Sequence, residues 1–178
     1  MQLLKSAGLF VTTTAAGLIA AGMLMMPAAQ AHDHSDKTAS KSRVMTKGLN
    51  HLGLSVSKLD KTVAFFTDVL GWRVAGGDPS YPVKFVTDGE IFLTLWQTTK
   101  GEKVVPFNRK NNIGLHHLAL TVDSFATLDE LHERFKKTDG VVIEFGPELN
   151  RGGPTKHMII REPSGNRLEF AHNPPRKQ

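Results

Sequence analysis

The sequence predicts an α+β fold of two tandem βαβββ modules, whose strands form a cup-shaped mixed sheet with the helices packed on the outside. Two observations predict it. The segment His51-Leu-Gly-Leu-Ser-Val56 returns as His117-Leu-Ala-Leu-Thr-Val122, at a spacing of 117 − 51 = 66 residues, and self-similarity of this kind decides an architecture before any local reading does. After each copy the apolar residues change from alternation to helical spacing and back, which gives the order β-α-β-β-β twice.

The elements follow in order. His51 to Val56 alternates, with Leu52, Leu54 and Val56 on one face, as a half-buried strand does. Ser57-Lys-Leu-Asp60 reads as an N-cap with an acid three residues on, and Leu59, Val63, Phe66 and Leu70 continue at helical spacing until Gly71. Trp72 to Ala75 is a short strand and Gly76-Gly77-Asp78-Pro79 a loop. Val83 to Thr87 and Ile91 to Gln97 are strands joined by Asp88-Gly89, a hairpin signal. The second module repeats this. Asp123 or Ser124 caps a helix carrying Phe125, Leu128, Leu131 and Phe135, closed by Gly140. Val141 to Phe145 is a strand, Gly146-Pro147 through Pro154 a loop, and His157 to Arg161 and Arg167 to His172 are strands joined at Glu162-Pro-Ser-Gly165. Module 1 thus occupies about 48–97, a linker 98–113, module 2 about 114–172, and a tail 173–178. The linker carries Lys100, Lys103, Arg109 and Lys110, and its length and lack of periodicity suit either a binding loop or a solvated connection.

The N-terminus stands apart. Lys5, an uncharged run from Ala7 to Met26, Pro27 and Ala29-Gln30-Ala31 together read as a secretory signal peptide cleaved after Ala31. The competing reading is a retained membrane anchor; cleavage implies a periplasmic or secreted protein with no stable membrane span. Residues 32–47 form a polar lead-in. With His32 as first residue, His34 would stand third, a place from which an imidazole can join the terminal amine around Cu(II) or Ni(II); a plain solvated tail is the other reading. Without the leader the basic residues number 22 − 1 = 21 against 17 acidic, a mildly basic balance. The basic residues are scattered rather than striped beside aromatics, which argues against a nucleic-acid partner. The absence of cysteine excludes thiol nucleophiles, thiolate metal sites and Fe–S clusters, so any metal is held by nitrogen and oxygen.

Strand parity selects the candidate ligands. With Leu52, Leu54 and Val56 toward the helix, His51, Gly53 and Ser55 face the other way. The repeat places His117, Ala119 and Thr121 on the equivalent face and leaves His116 on the helix side. In the last strand Leu168 and Phe170 face the helix, so Glu169 shares the face of the two histidines. Two imidazoles and a carboxylate on one small-residue face suit a divalent metal (Fe2+, Mn2+, Ni2+, Co2+ or Zn2+), acting as Lewis acid or oxygen activator. His157 is either a general acid/base near the cup or a strand-edge histidine. Phe92, Thr94 and Trp96 share a face; with Arg161 they form a candidate substrate pocket, the other reading of the two aromatics being core; Arg161 and Arg167 either contact an anion or are solvated. His132 reads as a surface or boundary residue, and His172, with Leu168's parity, has no assigned role. Serine-hydrolase and phosphate-loop patterns are absent.

These residues resemble the vicinal oxygen chelate superfamily, which includes glyoxalase I, extradiol dioxygenases, fosfomycin-resistance proteins and bleomycin-binding proteins. The resemblance covers residues 48–172 and rests on Asn50-His51-Leu-Gly-Leu-Ser-Val with Phe65-Phe66 and Leu70-Gly71-Trp72, on His116-His117-Leu-Ala-Leu-Thr-Val, and on Arg161-Glu-Pro-Ser-Gly-Asn-Arg-Leu-Glu169-Phe, where Glu162 replaces the usual Asp. It implies the glyoxalase/bleomycin resistance/dioxygenase fold, metal ligation by His51, His117 and Glu169, a small-molecule substrate with vicinal oxygens, and a homodimer. Glyoxalase I has a fourth ligand on the fourth strand, usually Glu, where this chain has Thr94. Extradiol dioxygenases usually have a Tyr where this chain has Ile159. Two functions stay open: a metalloenzyme of dioxygenase-like or glyoxalase/lyase-like chemistry, and a non-catalytic module that sequesters a small molecule, as the bleomycin-resistance type does.

Overall fold

The computed structural model describes residues 44–101 and 103–175. The leader, the His32/His34 segment and residues 176–178 lie outside them. Among the described residues, eight strands form two four-stranded sheets, one per module. Module 1 contains β1 (Leu52–Val56), β2 (Arg73–Asp78), β3 (Val83–Thr87) and β4 (Phe92–Gln97) in the order β1-β4-β3-β2. Module 2 contains β5 (Leu118–Thr121), β6 (Val142–Leu149), β7 (Lys156–Arg161) and β8 (Arg167–His172) in the order β5-β8-β7-β6. In each sheet the first and last strands pair parallel and the rest antiparallel. The duplication therefore holds at the level of register: Gly53 stands opposite Thr94 as Ala119 stands opposite Glu169.

One helix packs on each sheet. In module 2, α2 (Phe125–Phe135) begins at Ser124, whose hydroxyl accepts the Thr127 amide, which decides between Asp123 and Ser124 as the N-cap. In module 1, α1 (Leu59–Ala64) runs on into a π-helical turn, Phe65–Val69. No side chain of its own caps α1, and Ser57 does not take the predicted role. The Leu59 amide donates to Gln97 Oε1 and the Lys58 amide to Ser164 Oγ. The orphan donors at the helix start are thus satisfied by β4 and by the β7–β8 turn of the other module.

That turn locks the modules together. Glu162, 1% exposed, accepts hydrogen bonds from the Ser164 and Asn166 amides, from Asn166 Nδ2 and from Thr62 Oγ1, the last at 2.7 Å from α1. Asn166 Nδ2 also reaches the Ser55 carbonyl on β1. The helix-facing sides of both sheets close into one apolar cluster that includes Leu54, Phe65, Leu93, Leu120, Phe135 and Phe170. Phe65 meets Phe135 at 5.7 Å and Phe135 meets Phe170 at 5.0 Å between ring centroids. The other face of each sheet is left open.

Two strands run further than the sequence suggests. β2 extends through Gly76-Gly77 to Asp78, with a register shift between Val74 and Gly76. β6 continues through Gly146-Pro147 to Leu149, with shifts between Ile143 and Phe145 and between Phe145 and Glu148. Such bulges let a strand pass glycine or proline without ending, because the irregular residue is excused from the ladder. The linker forms neither helix nor strand among its described residues.

Candidate metal centre

Alternation along β8 sends Leu168 and Phe170 into the core and leaves Arg167 and Glu169 on the open face. Glu169, its side chain 14% exposed, is the middle of a three-residue group. Its Oε2 lies 2.9 Å from His117 Nε2 and its Oε1 lies 2.7 Å from His157 Nδ1. Since a carboxylate only accepts, His157 donates through Nδ1. Sequence parity brought His117 and Glu169 to one face, and the structure joins His157 to them. Two ligand atoms at right angles on an ion with bonds near 2.1 Å stand about 3.0 Å apart, so the His117–Glu169 spacing fits a divalent ion held by both.

His51 does not join this group. It precedes β1, is exposed, and among the described residues bonds the adjacent Asn50 through Nδ1 at 2.8 Å. Among the described residues no three His, Asp or Glu side chains are placed to hold one ion. The chain supplies a pair on module 2 and a lone imidazole on module 1.

Around His51 the open face of module 1 is aromatic. Phe92 is 36% and Trp96 41% exposed, with Phe85 against Phe92 at 5.7 Å and Tyr81 against Trp96 at 5.5 Å. Thr94 sits among them at the register position of Glu169. Its hydroxyl accepts from Trp96 Nε1 at 2.8 Å. A Cβ at Gly53 would lie 3.2 Å from that hydroxyl, so glycine there keeps Trp96 folded over Thr94.

Behind His117 lies a second polar group. Arg167, 7% exposed, pairs with Glu144 through Nε and Nη2, the shorter bond being 2.7 Å. Arg161 Nε reaches the same carboxylate at 2.9 Å. The Arg167 hydrogen bonds hold the Glu144 carboxyl below the ordinary carboxylate range, against partial burial. Arg167 Nη1 donates to the His116 carbonyl at 3.0 Å and lies 3.2 Å from His116 Nδ1. His116 Nδ1 in turn is 2.8 Å from His117 Nδ1. Partial desolvation and then the Arg167 charge lower the His116 pKa. His116 is therefore not on the helix side. β5 begins only at Leu118, so strand alternation does not govern residue 116, and its ring turns toward Arg167.

Arg161 also borders a cavity of about 720 Å³ between the modules, lined among others by Ser55, Lys58, Phe107, Leu115 and Arg167. Neither His117 nor Glu169 lines it. Sequence reading missed Glu144, His116 and Glu162 as site or support residues; the one available signal was the doublet His116-His117.

Known proteins resemble this chain in sequence and in fold. The model of the Glyoxalase/Bleomycin resistance protein/Dioxygenase superfamily matches residues 48–170. A lactoylglutathione lyase of Salmonella typhimurium is 32% identical over 128 residues, covering 68% of this chain and 90% of that protein. The metallothiol transferase FosB of Lysinibacillus sphaericus is 27% identical over 128 residues, covering 70% and 81%. In fold, the fosfomycin resistance protein FosX of Listeria monocytogenes superposes with a TM-score of 0.58 at 20% identity, over 72% of this chain and 95% of that one. From the duplicated modules and the matched span, the chain belongs to the Glyoxalase/Bleomycin resistance protein/Dioxygenase superfamily.

Proposed function

We propose that the protein is an exported, metal-dependent enzyme in which His117 and Glu169 of one chain and His51 of a second copy hold one divalent ion beside a small substrate with adjacent oxygen atoms. The observation that carries the reading is the His117–Glu169 pair on an open sheet face. His51 stands at the equivalent place on module 1, above an equally open aromatic face. Setting module 1 of one copy against module 2 of another covers both faces and yields two equal sites, as an isologous dimer requires. Similarity to a lactoylglutathione lyase and to a metallothiol transferase supports enzyme chemistry of this kind.

When bound, the ion (Fe2+, Mn2+, Ni2+, Co2+ or Zn2+) supplies Lewis-acid polarisation of the substrate oxygens. The chain's own side chains do the rest. His117 and Glu169 fix the place of chelation. His157 holds the second oxygen of Glu169 and is the imidazole placed to take or give a proton there. Phe92 and Trp96 exclude water from one side, and Thr94 leaves open the place that glyoxalase I-like proteins fill with a carboxylate. The reading therefore extends to dioxygenase-type as well as lyase-type chemistry. The export part rests on Lys5, the apolar run and Ala29-Gln30-Ala31; among the described residues no helix is long and apolar enough to cross a membrane.

The test combines metal analysis with mixed dimers. Protein recovered from the exported fraction should begin at His32, retain a divalent metal, and gain thermal stability from it, because a ligand of the native state stabilises that state. His51→Ala and His117→Ala should each lose the metal. A refolded mixture of the two should regain it in half the sites of each mixed dimer, since one site then has all three ligands. A wild type that neither retains nor is stabilised by any of these ions sinks the enzyme reading in favour of small-molecule sequestration; a mixture that regains nothing sinks the shared site.

A further inference from the structure

We infer that the cavity between the modules is a second ligand site, separate from the His117–Glu169 pair, and that it takes a small amphipathic carboxylate, with an apolar body against the linker and an anionic head at Arg161. The inference goes beyond the proposed function and does not rest on it, because neither His117 nor Glu169 lines the cavity.

The linker supplies most of the apolar wall. Val104, Val105, Phe107, Ile113 and Leu115 line the cavity, and Val142 of β6 adds to them. A connection that only spans a gap has no use for such side chains, yet Val105, Phe107, Ile113 and Leu115 are all exposed. Apolar residues scattered singly over a surface need no explanation; a group of them rimmed by polar residues marks a binding site. The loop also holds the group in place. The Asn108 amide donates to Asn112 Oδ1 at 2.9 Å, and the Asn112 amide donates to the Asn108 carbonyl at 2.8 Å. Beside this clasp the Phe107 ring lies so close over Gly114 that a Cβ there would stand 2.6 Å from it. The two arms of the loop are therefore fixed side by side, and a wall already formed spares a ligand the cost of ordering it.

The charge in the cavity has one sign. Arg161, Arg167 and Lys58 line it. Among the described residues its one acidic lining group is Glu162, which is buried and already accepts from Thr62, Ser164 and Asn166. Arg167 is spent on Glu144 and the His116 carbonyl. Arg161 is not. Its Nε meets Glu144 at 2.9 Å and its Nη1 donates to the Gly165 carbonyl at 3.3 Å, which orients the guanidinium; among the described residues Nη2 has no partner. Arg109 and Lys110, at the tip of the loop, border a smaller pocket that shares Pro106, Phe107 and Arg161 with the cavity. A cationic ligand would meet only its own sign here. A neutral apolar one would cover Arg161 without giving it an acceptor, which is costly. A carboxylate on an apolar chain suits both parts, and about 720 Å³ has room for it.

Octanoate is the probe, with octanol and octylammonium beside it, titrated into the full chain as purified. Calorimetry should show octanoate binding, octanol weaker by about 10-fold or more, and octylammonium not at all. In 1H–15N NMR spectra the amides of Gly114, Leu115 and Gly165 should move with octanoate, and those of Trp96 and Glu169 should not. Arg161→Gln should weaken octanoate by about 10- to 100-fold and erase its advantage over octanol, and Arg161→Lys should restore part of it. Val105→Ser combined with Ile113→Ser changes two almost wholly exposed positions, so the fold loses nothing. It should weaken octanoate and octanol alike by about 10-fold and leave metal retention as in wild type. Octylammonium binding as well as octanoate, or shifts confined to the surroundings of Trp96 or Glu169, overturns the proposal. So does a chain that ignores octanoate while the Val105/Ile113 variant loses its dimer, since the apolar group is then an interface between copies. A chain that binds octanoate at Arg161 but retains no metal overturns the proposed function alone.

Discussion

At the scale of single residues, the site is built from side chains whose neighbours leave them few choices. Glu144 is the clearest case. Its carboxyl is held low by Arg167, so its contribution to stability is present above the ordinary carboxylate pKa and is lost as pH falls through its depressed folded value. Glu144→Gln should therefore be less stable than wild type at neutral pH, with the difference shrinking in acid; urea unfolding at two pH values reads it, and a constant difference would refute the assignment. Gly53 offers a second check. Gly53→Ala places a methyl 3.2 Å from the Thr94 hydroxyl and should dislodge Trp96 from its hydrogen bond, shifting Trp fluorescence while leaving metal binding in place. How much of this was legible follows from the kind of interaction. Parity put His117 and Glu169 on one face because alternation is a backbone property. It failed at His116, which lies outside the strand, and it could not show that His51 stands apart, because distance between modules is not written in either one.

At the scale of elements, the two helix starts differ in a way the local sequence conceals. Ser57 and Ser124 both look like caps, yet only Ser124 acts as one. Ser124→Ala should cost about 1 kcal/mol, while Ser57→Ala should cost much less; thermal or urea unfolding compares them, and equal losses would contradict the assignment. The first helix borrows its cap from Gln97 and Ser164, which are 38 and 106 residues away in the chain. Element order, a cap at Asp123 or Ser124 and the limits of β8 were readable because they depend on neighbours in sequence. The extensions of β2 and β6 were not, since glycine and proline signal a turn unless a partner strand absorbs them in a bulge.

At the scale of the whole molecule, Glu162 decides whether two modules behave as one. Glu162→Gln turns an acceptor into a donor among four donors and should cost about 2–4 kcal/mol. Glu162→Asp, a methylene shorter, should keep the turn but release Thr62, costing about 1–2 kcal/mol; if the Asp variant is as unstable as the Gln variant, the link to α1 is not what the longer side chain provides. The duplicated architecture itself was legible from the 66-residue repeat. The lock was not, because Thr62 is brought to Glu162 from 100 residues away in the chain. That lock also has a kinetic meaning. One of the two groups that cap the first helix, Ser164, and the Glu162 carboxylate beneath Thr62 come from the turn between the last two strands, so a chain emerging from its N-terminus cannot complete these contacts until nearly all of it has been made. Contacts this distant in sequence slow folding. Under the proposed export, such a delay would keep the polypeptide threadable for a secretion channel.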